Sequence, residues 1–556
     1  MTKVKLTAAQ AIVEVMVREG VEKVFCVPGE SYLSVLNVMY QHPTIELITG
    51  RHEGGVSFMT EGYAKASGKV GVCFATRGPG ATNLSIGLHT AKQDSTPVVA
   101  FIGQVEKEFR GREGFQEIDL AEYFSYLVKW TVEINNAARV PELVHRAFHM
   151  ARSGRPGPVV VSLPQDVLDE MAEFEFGESA FYAKPRPDYA AVEKARELLE
   201  SAKRPVIIAG GGVTSTKSTP HLVALAEQLD IPVATAFRRF DAFPNDHPNY
   251  AGSLGIGAPK YLVDLVQEAD IILAVGTRFS QITSQDYSLF SARNKIIHVD
   301  ISVDEIGKVY RPTLGIVSDV KHFMVDLLAI LGSKPPVLDR KEYVRQARKK
   351  YEEFSTIPKL DKSEFVQLET VIQDLQQYLP SDTIYVSDAG NFFGWMAKYY
   401  SFKEQGTFVG PTSGAMGYGL PAAIGVKVAQ PDKTVVSFSG DGGFMMTVQE
   451  LETAVRHNIP VIAIVSNNNM FGTIRMHQEK HFPKRIVATE LTNPNFSEWM
   501  KQIGGYGQLV EKNEDFKSAL LRAVESGKPS VIEVRVDPER VSVGKTIDEL
   551  RDRVRQ

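Results

Sequence analysis

Strand-like and helix-like runs alternate along this chain in three separate series, and that alternation limits the fold more than any other feature. KVFCVPG, IELITG, VGVCFATRG and PVVAFIGQ form the first series, each short, rich in β-branched residues and closed by glycine or a polar residue. TAAQAIVEVMVREG, ESYLSVLNVMYQH and EGGVSFMTEGYAKASG lie before or between them with helical periodicity. RPVIIAGGG, IPVATAF, ADIILAVG and KIIHVDI repeat the pattern near 204–301; DTIYVSDAG, TVVSFSGDG, IPVIAIVSNNN and SVIEVRVD repeat it near 382–537. Alternation of this kind builds parallel sheets covered by helices on both faces. The expected fold is therefore α/β, with three doubly wound parallel-sheet domains at 1–172, 190–333 and 362–540 and a charged tail at 541–556. The polar stretches at about 172–190 and 333–362 read as surface linkers, and the tail as either a helix or an arm. At roughly 100–200 residues per domain, a chain of 556 residues holds this many.

Composition excludes several function classes. A formal net charge of −5, with no basic stripe, gives no case for nucleic acid or an anionic membrane as a partner. Apolar content of 43% and charged content of 23% are ordinary for a globular protein. Cys26 and Cys73 both lie in apolar strand-like runs and read as buried free thiols. MTKVKLTAAQ has no apolar signal-peptide core, and no apolar run reaches the ~18 residues of a membrane span. The expected location is a reducing cytoplasm. There is no Cys/His ligand spacing and no Gly-x-Ser-x-Gly elbow to suggest a zinc or serine-nucleophile enzyme.

Two polar clusters, Gly440-Asp441-Gly442-Gly443 and Asn467-Asn468-Asn469, end two strongly apolar runs. Thr447 and Glu450 fit a capping box for a helix between these runs, so the unit reads as βαβ with parallel strands. Both clusters then fall at carboxyl ends of strands, where open α/β sheets bind ligands. Asp441 offers an anionic oxygen, Asn468 a neutral one, and the glycines allow close approach; with phosphate oxygens this is a good Mg²⁺ donor set. Taken singly, each cluster reads equally well as a turn.

Gly-Asp-Gly followed after some two dozen residues (443–466) by Asn-Asn resembles the signature of thiamine-diphosphate enzymes. By that resemblance Asp441, Asn468 and the main-chain oxygen of Met470 hold Mg²⁺, with Gly440, Gly442, Gly443, Phe471 and Gly472 around the diphosphate. Asp388-Ala389-Gly390-Asn391-Phe392 follows a strand and opens a helix, a second place for diphosphate oxygens on backbone N–H groups. In this superfamily a Glu after the second strand of the N-terminal domain bonds the cofactor's aminopyrimidine and favours its basic imino form. Glu53 stands there; read alone, it is simply a helix N-terminal acid. Val27-Pro28-Gly29 is similar to the loop against the pyrimidine. GPTSGAMGYGLPAAIG (410–425) is similar to the segment that bends the cofactor, with Met416 as wedge, or else as plain core, and the Gly414 carbonyl facing the exocyclic amine. The dinucleotide-like spacing Gly417-x-Gly419-x-x-Ala422 is rejected, because no strand immediately precedes it. The superfamily also implies a homodimer at least, and commonly a tetramer, because the two cofactor-binding domains of one site come from different subunits.

RHEGGVSFMTEGYAKASGKVGVC, GPGATNLSIGL, FQEIDL, DAFPNDHP, GDGGFMMTVQELETAV and GTIRMHQ most resemble acetolactate synthase, over nearly the whole chain. That resemblance implies decarboxylation of a 2-oxo acid, pyruvate first, and carboligation to a second 2-oxo acid. Phe115 and Gln116 match its substrate pocket, with Lys129 nearby. Arg77 stands where the family usually has Ser, either as a carboxylate clamp or as a structural ion pair. His477 stands where anabolic members carry a Trp, which points away from isoleucine synthesis. Gly210-Gly211-Gly212, Gly276-Thr277-Arg278-Phe279 and Asp300 are similar to flavin-binding stretches, yet Ser280 and Gln281 replace the expected acids, so the resemblance leaves FAD open. His52 and His457 read as structural. The competing readings are another thiamine-dependent lyase, acyltransferase or oxidase, and a non-catalytic cofactor-binding homologue. The acceptor and any regulatory subunit stay unassigned.

Overall fold

The computed structural model describes residues 3–180, 182–333 and 336–552. The chain divides into two compact units. The first comprises Met1–Tyr182, Tyr385–Phe393 and Gly410–Gln556; the second comprises Ala183–Ile384 and Gly394–Val409.

The N-terminal strands are β1 (Val4–Thr7), β2 (Lys23–Cys26), β3 (Glu46–Thr49), β4 (Gly71–Thr76), β5 (Val98–Gln104), β6 (Trp130–Glu133), β7 (Pro158–Pro164) and β8 (Met171–Phe174). Six of them form a parallel sheet in the order β3-β2-β4-β5-β7-β6. β5 and β7 are buried at every position, as central strands covered on both faces should be. On one face Val72, Phe74, Val99, Phe101 and Val161 pack with Ile12 and Met16 of the helix Ala8–Arg18 and Val144 and Phe148 of the helix Val140–Arg152. The other face is covered by α1 (Glu53–Ser67) and α2 (Arg77–Asp94). Cys26 and Cys73 are buried free thiols, and desolvation pushes both up to about 12.

The C-terminal sheet contains β15 (Ile384–Ser387), β16 (Phe408–Val409), β17 (Val435–Gly440), β18 (Ile462–Asn467), β19 (Tyr506–Val510) and β20 (Ser530–Arg535), ordered β16-β15-β17-β18-β20-β19. Its main covering helix is α3 (Gly419–Ala429), which lies against α1. A methyl group on Gly62 would overlap the Ala422 carbonyl, and one on Gly425 would overlap the Met59 carbonyl. These glycines bring the two helix backbones together. Gly419 instead leaves room for Ser439 and Asp388.

In the second unit β9 (Val206–Ala209), β10 (Val233–Thr235), β11 (Tyr250–Ser253), β12 (Ile271–Val275), β13 (Lys295–Asp300) and β14 (Leu314–Val317) run in the order β11-β10-β9-β12-β13-β14. Counted within the sheet this is 3-2-1-4-5-6, the order of dinucleotide-binding folds.

The linker at 333–362 needs correction, whereas at 172–190 the described residues after Phe174 are irregular and mostly exposed up to Tyr189, as a surface linker should be. Residues 341–355 form a helix whose Val344, Ala347 and Tyr351 are buried, with Tyr351 edge-on to Tyr250 of β11 at 4.8 Å. The apolar positions recur at helical spacing, but eight charged residues around them mask the stripe. At the other separator β8 pairs antiparallel with β1, outside the doubly wound pattern. The tail proves to be both arm and helix: an irregular segment leads into Ile547–Asp552. Residues 553–556 lie outside the described residues. Among the described residues no helix is long and apolar enough to cross a membrane.

Candidate active site

Counted within each sheet, the N- and C-terminal sheets share one strand order, 2-1-3-4-6-5. The direction of winding reverses between the first and third strands, and open sheets bind ligands outside the carboxyl ends at such a point. In the N-terminal sheet that point receives Val27-Pro28-Gly29 from β2 and Thr76-Arg77 from β4. In the C-terminal sheet it receives Asp388-Ala389-Gly390 from β15 and Gly440-Asp441 from β17.

Asp441 opens a short helical turn, α4 (Asp441–Phe444), and is buried. Desolvation raises its carboxyl to about 6, against hydrogen bonds from Asn493 and from backbone N–H groups. A bound cation would supply the positive charge this site lacks. Asn493, which sequence reasoning missed, donates through Nδ2 to Asp441 Oδ2 at 2.7 Å, and to Asn467 Oδ1 and Asn469 Oδ1 at 3.2 Å. Its only signal was the polar run TNPN. The three amides of 467–469 have different tasks. Asn467 is buried, donates to Glu533 Oε1 at 2.8 Å and accepts from the Asn469 N–H. Asn469 takes a left-handed φ of 56° to turn the chain. Asn468 accepts from the Met470 N–H in an Asx turn and stands beside Gly472, where a Cβ would come within 3.1 Å of its Nδ2. Gly440, Gly442 and Gly443 have no room for side chains: a Cβ would lie 3.0 Å from the Phe392 ring, 2.7 Å from the Phe471 ring and 2.9 Å from Asp388 Oδ2, respectively. A carboxylate, an amide oxygen and a main-chain oxygen around a cradle lined by glycine fit Mg²⁺ and diphosphate.

Thr447 and Glu450 do not form the expected capping box. The helix α5 (Glu450–Arg456) has Gln449 at its N-cap, with no side-chain cap. Thr447 Oγ1 instead donates to the Gly417 carbonyl at 2.8 Å, while the Gly417 N–H donates to Asp388 Oδ1 at 3.0 Å. The peptides on either side of Gly417 are thus both held, and Gly414 and Gly417 supply the left-handed turns at φ 70° and 79° that flank Met416. Met416 is half-buried in a loop rather than sunk in the core. At the start of the segment Thr412 donates to Asp94 through N and Oγ1, the latter at 2.6 Å. Asn391 also differs from expectation: helix Phe393–Tyr399 starts only after the 390–392 turn, and the Asn391 N–H is taken by Thr473 Oγ1 at 3.2 Å.

In the N-terminal domain Glu53 is the first residue of α1 and 9% exposed. Its Oε2 accepts from Asn83 Nδ2 at 2.9 Å, and Gly80 keeps space beside Oε1. His52 caps the helix, its Nδ1 accepting from the Gly54 N–H at 3.0 Å, and His457 Nε2 meets the Thr49 N–H at 3.2 Å; both are structural, as read. Gly29 lies so close to Thr76 that a Cβ would sit 2.5 Å from the threonine Cβ, so Pro28-Gly29 is pinned against β4.

Arg77 and Gln116 meet through the backbone, the Gly78 N–H donating to the Gln116 carbonyl at 2.9 Å. Gln116 has a left-handed φ of 66°, and its Oε1 is buried with no hydrogen-bond partner among the described residues. Arg77 donates to Gln165 Oε1 at 2.7 Å and to Glu30 Oε1 at 3.3 Å, leaving a buried Nε unpaired. Phe115 is 72% exposed, and His477 is exposed on α6 (Gly472–His481). Lys129 donates to the Ser153 carbonyl, and burial pulls its ammonium down to about 8. In the central domain, Ser280 and Gln281 turn their side chains onto Thr283 and Asp286 within their own loop, and Asp300 accepts from the Ser302 N–H. A Cβ on Gly210 or Gly212 would overlap or crowd the backbone of Gly276, so both serve helix–strand packing.

Three family profiles match the chain: the thiamine pyrophosphate enzyme N-terminal TPP binding domain at 6–123, the central domain at 192–327 and the C-terminal TPP binding domain at 388–534. Together with the two switch-point clusters, they make this chain a member of the thiamine-pyrophosphate enzyme family, with thiamine diphosphate and Mg²⁺ as its cofactors. Within that family it is similar to the probable acetolactate synthase large subunit of Methanocaldococcus jannaschii, 35% identical over 552 residues that cover 96% of this chain and 92% of the relative. It is also similar to the acetolactate synthase isozyme 2 large subunit of Escherichia coli, at 32% identity and 96% coverage of both chains. The acetolactate synthase large subunit of Corynebacterium glutamicum is 33% identical, covering 95% of this chain and 86% of the relative.

Proposed function

We propose that this enzyme decarboxylates pyruvate and joins the two-carbon unit to the carbonyl of a second 2-oxo acid, as an acetolactate synthase does. The observation that carries this reading is the pair of clusters at the carboxyl ends of the two sheets, one presenting Asp441 after β17 with Asn468 and Met470 after β18, the other Glu53 after β3, in a chain similar over nearly its full length to acetolactate synthase large subunits. Asp441, the Asn468 amide oxygen and the Met470 carbonyl would hold Mg²⁺, which would neutralise the diphosphate charge. Gly390, Asn391, Phe392, Gly440, Gly442, Gly443, Phe471 and Gly472 shape the diphosphate cradle. The Gly414 carbonyl, Met416 and Pro28-Gly29 would hold the cofactor's ring end, and Glu53 would hold a proton at the aminopyrimidine. The bound cofactor supplies the electron sink for decarboxylation. The protein's own residues orient the substrate and exclude water: Phe115 walls the pocket, the buried Gln116 Oε1 awaits a donor, and His477 lies at the rim.

The assembly this reading needs is a homodimer at least, in which Glu53 of one protomer completes the Asp441 site of the other. Exposed apolar side chains near both clusters support it: Phe115 in the N-terminal domain, and Met445, Met446, Ile474 and Phe482 in the C-terminal domain. A different acceptor is the second reading, favoured by Arg77, whose guanidinium keeps a buried Nε unpaired among the described residues. Incubation with pyruvate, thiamine diphosphate and Mg²⁺ is expected to release CO₂ and form acetolactate. CO₂ release without acetolactate would favour the second reading, and no CO₂ release would reject pyruvate as the donor.

A further inference from the structure

The short connection that presents Glu53, from Thr49 at the end of β3 to His52 at the N-cap of α1, is gripped by a helix from the C-terminal domain of the same chain. Glu450, the first residue of α5, is fully buried. Its Oε1 accepts from the N–H groups of His52 at 3.1 Å and Arg51 at 3.2 Å. Its Oε2 accepts from the Arg51 N–H at 3.2 Å and from Thr453 Oγ1 at 2.7 Å. Space for this carboxylate is made on the receiving side: a Cβ on Gly55 would overlap it, and one on Gly50 would come within 3.3 Å of Oε2. The far end of α5 holds the start of the connection, with Arg456 Nη2 donating to the Thr49 carbonyl at 2.6 Å and His457 Nε2 meeting the Thr49 N–H. Glu452 adds an exposed ion pair to Arg51 at 3.6 Å.

A buried carboxylate is costly unless its lone pairs are filled, and this one is filled by the main chain one and two residues before Glu53. A domain contact that merely excluded water would be served as well by an apolar side chain. We propose that Glu450 is a positioning residue for Glu53: it fixes the N-terminus of α1, while Asn83 fixes the carboxylate, so that the acid has one orientation towards the aminopyrimidine. The inference rests on Glu53 being the activating acid. A small displacement of an activating group costs about 10²-fold in rate without costing ground-state binding, which separates this role from plain structural support.

The test compares Glu450→Ala, Glu450→Gln and Glu53→Gln with the wild type in three measurements. Amide hydrogen exchange on cofactor-free protein reads the 49–54 connection. Calorimetry reads the affinity for thiamine diphosphate with Mg²⁺, and NMR reads deuterium exchange at the thiazolium C2 of the bound cofactor. Glu450→Ala is expected to speed amide exchange at Arg51 and His52, to keep cofactor affinity within about threefold, and to slow C2 exchange about tenfold or more. Glu450→Gln, whose amide oxygen still accepts from an N–H, is expected to recover part of the C2 exchange, and it carries the test if the alanine variant does not fold. Glu53→Gln is expected to slow C2 exchange at least as much. Wild-type C2 exchange in both Glu450 variants, with Glu53→Gln slow, overturns the positioning role alone. So does a loss of affinity and fold that accounts for the whole effect. Wild-type exchange in Glu53→Gln overturns the role of Glu53, and the inference with it.

Discussion

Asn493 shows what a single side chain adds to the proposed metal half-site. One amide group ties Asp441 to Asn467 and Asn469, the two residues that flank Asn468 in the chain. With Asp441 Oδ2 fixed in this way, its carboxylate plane is set before a cation arrives. Asn493→Ala is expected to weaken Mg²⁺ binding about tenfold, the equivalent of one charge-assisted hydrogen bond, and to lower the melting temperature of the cation-free protein, because buried Asp441 and Asn467 lose a donor. Calorimetric titration of Mg²⁺ at saturating thiamine diphosphate checks this, and an unchanged affinity would remove Asn493 from the site. At this scale the sequence made the placement of Asp441 and Asn468 legible: an acid and an amide that close two apolar runs do stand at the ends of β17 and β18. Asn493 was hidden because it acts through another side chain from a loop some fifty residues away, and loop polarity alone carries no address. Arg77 was open between two roles because both need the same charge; its Glu30 and Gln165 contacts emerge only from the fold.

Among the elements, α5 is the instructive case. Thr447 and Glu450 have the spacing of a capping box, a local arrangement, but tertiary partners took both side chains: Thr447 went to Gly417 and Glu450 to Arg51 and His52. Capping rules describe an isolated helix end and yield when a buried backbone N–H has no other acceptor. The helix α7 (Ile547–Asp552) is held by a different means. Arg551 donates to both oxygens of the buried Glu479 on α6, through Nε at 2.7 Å and Nη2 at 2.8 Å. That hydrogen-bonded guanidinium, more than any other group, holds the Glu479 carboxyl down at about 2, against 4.5 for the free side chain. A carboxyl with a depressed folded value stabilises the fold above its unfolded value and loses that contribution as pH falls through the folded one. Arg551→Ala is therefore expected to lower stability by about 2 kcal/mol above pH 4.5, with the gap to wild type closing as pH falls towards 2. Thermal melts of both proteins across that range check the sign; a gap that widens in acid would contradict it.

For the whole molecule, the three-fold alternation in the sequence became three parallel sheets because each strand run is too short and too apolar to be anything but a covered strand. Strand order was not legible, since nothing local distinguishes 2-1-3-4-6-5 from 3-2-1-4-5-6; it depends on which helix covers which face. Nor was the partition of the chain into two units rather than three, which follows from the glycine-lined contact of α1 with α3. That contact joins the two cofactor-binding folds of one chain into one unit, and the proposed function needs two such units to pair across a two-fold axis before a site is complete. Subunit complementation tests this most directly. Glu53→Gln and Asp441→Ala, each about inactive alone, are mixed under conditions that allow subunit exchange, and carboligation is measured. If each site takes Glu53 from one protomer and Asp441 from the other, mixed dimers carry one intact site, and activity returns to about a quarter of wild type at equal mixing. No recovery, with exchange shown by mass spectrometry of the mixed dimer, would contradict the account.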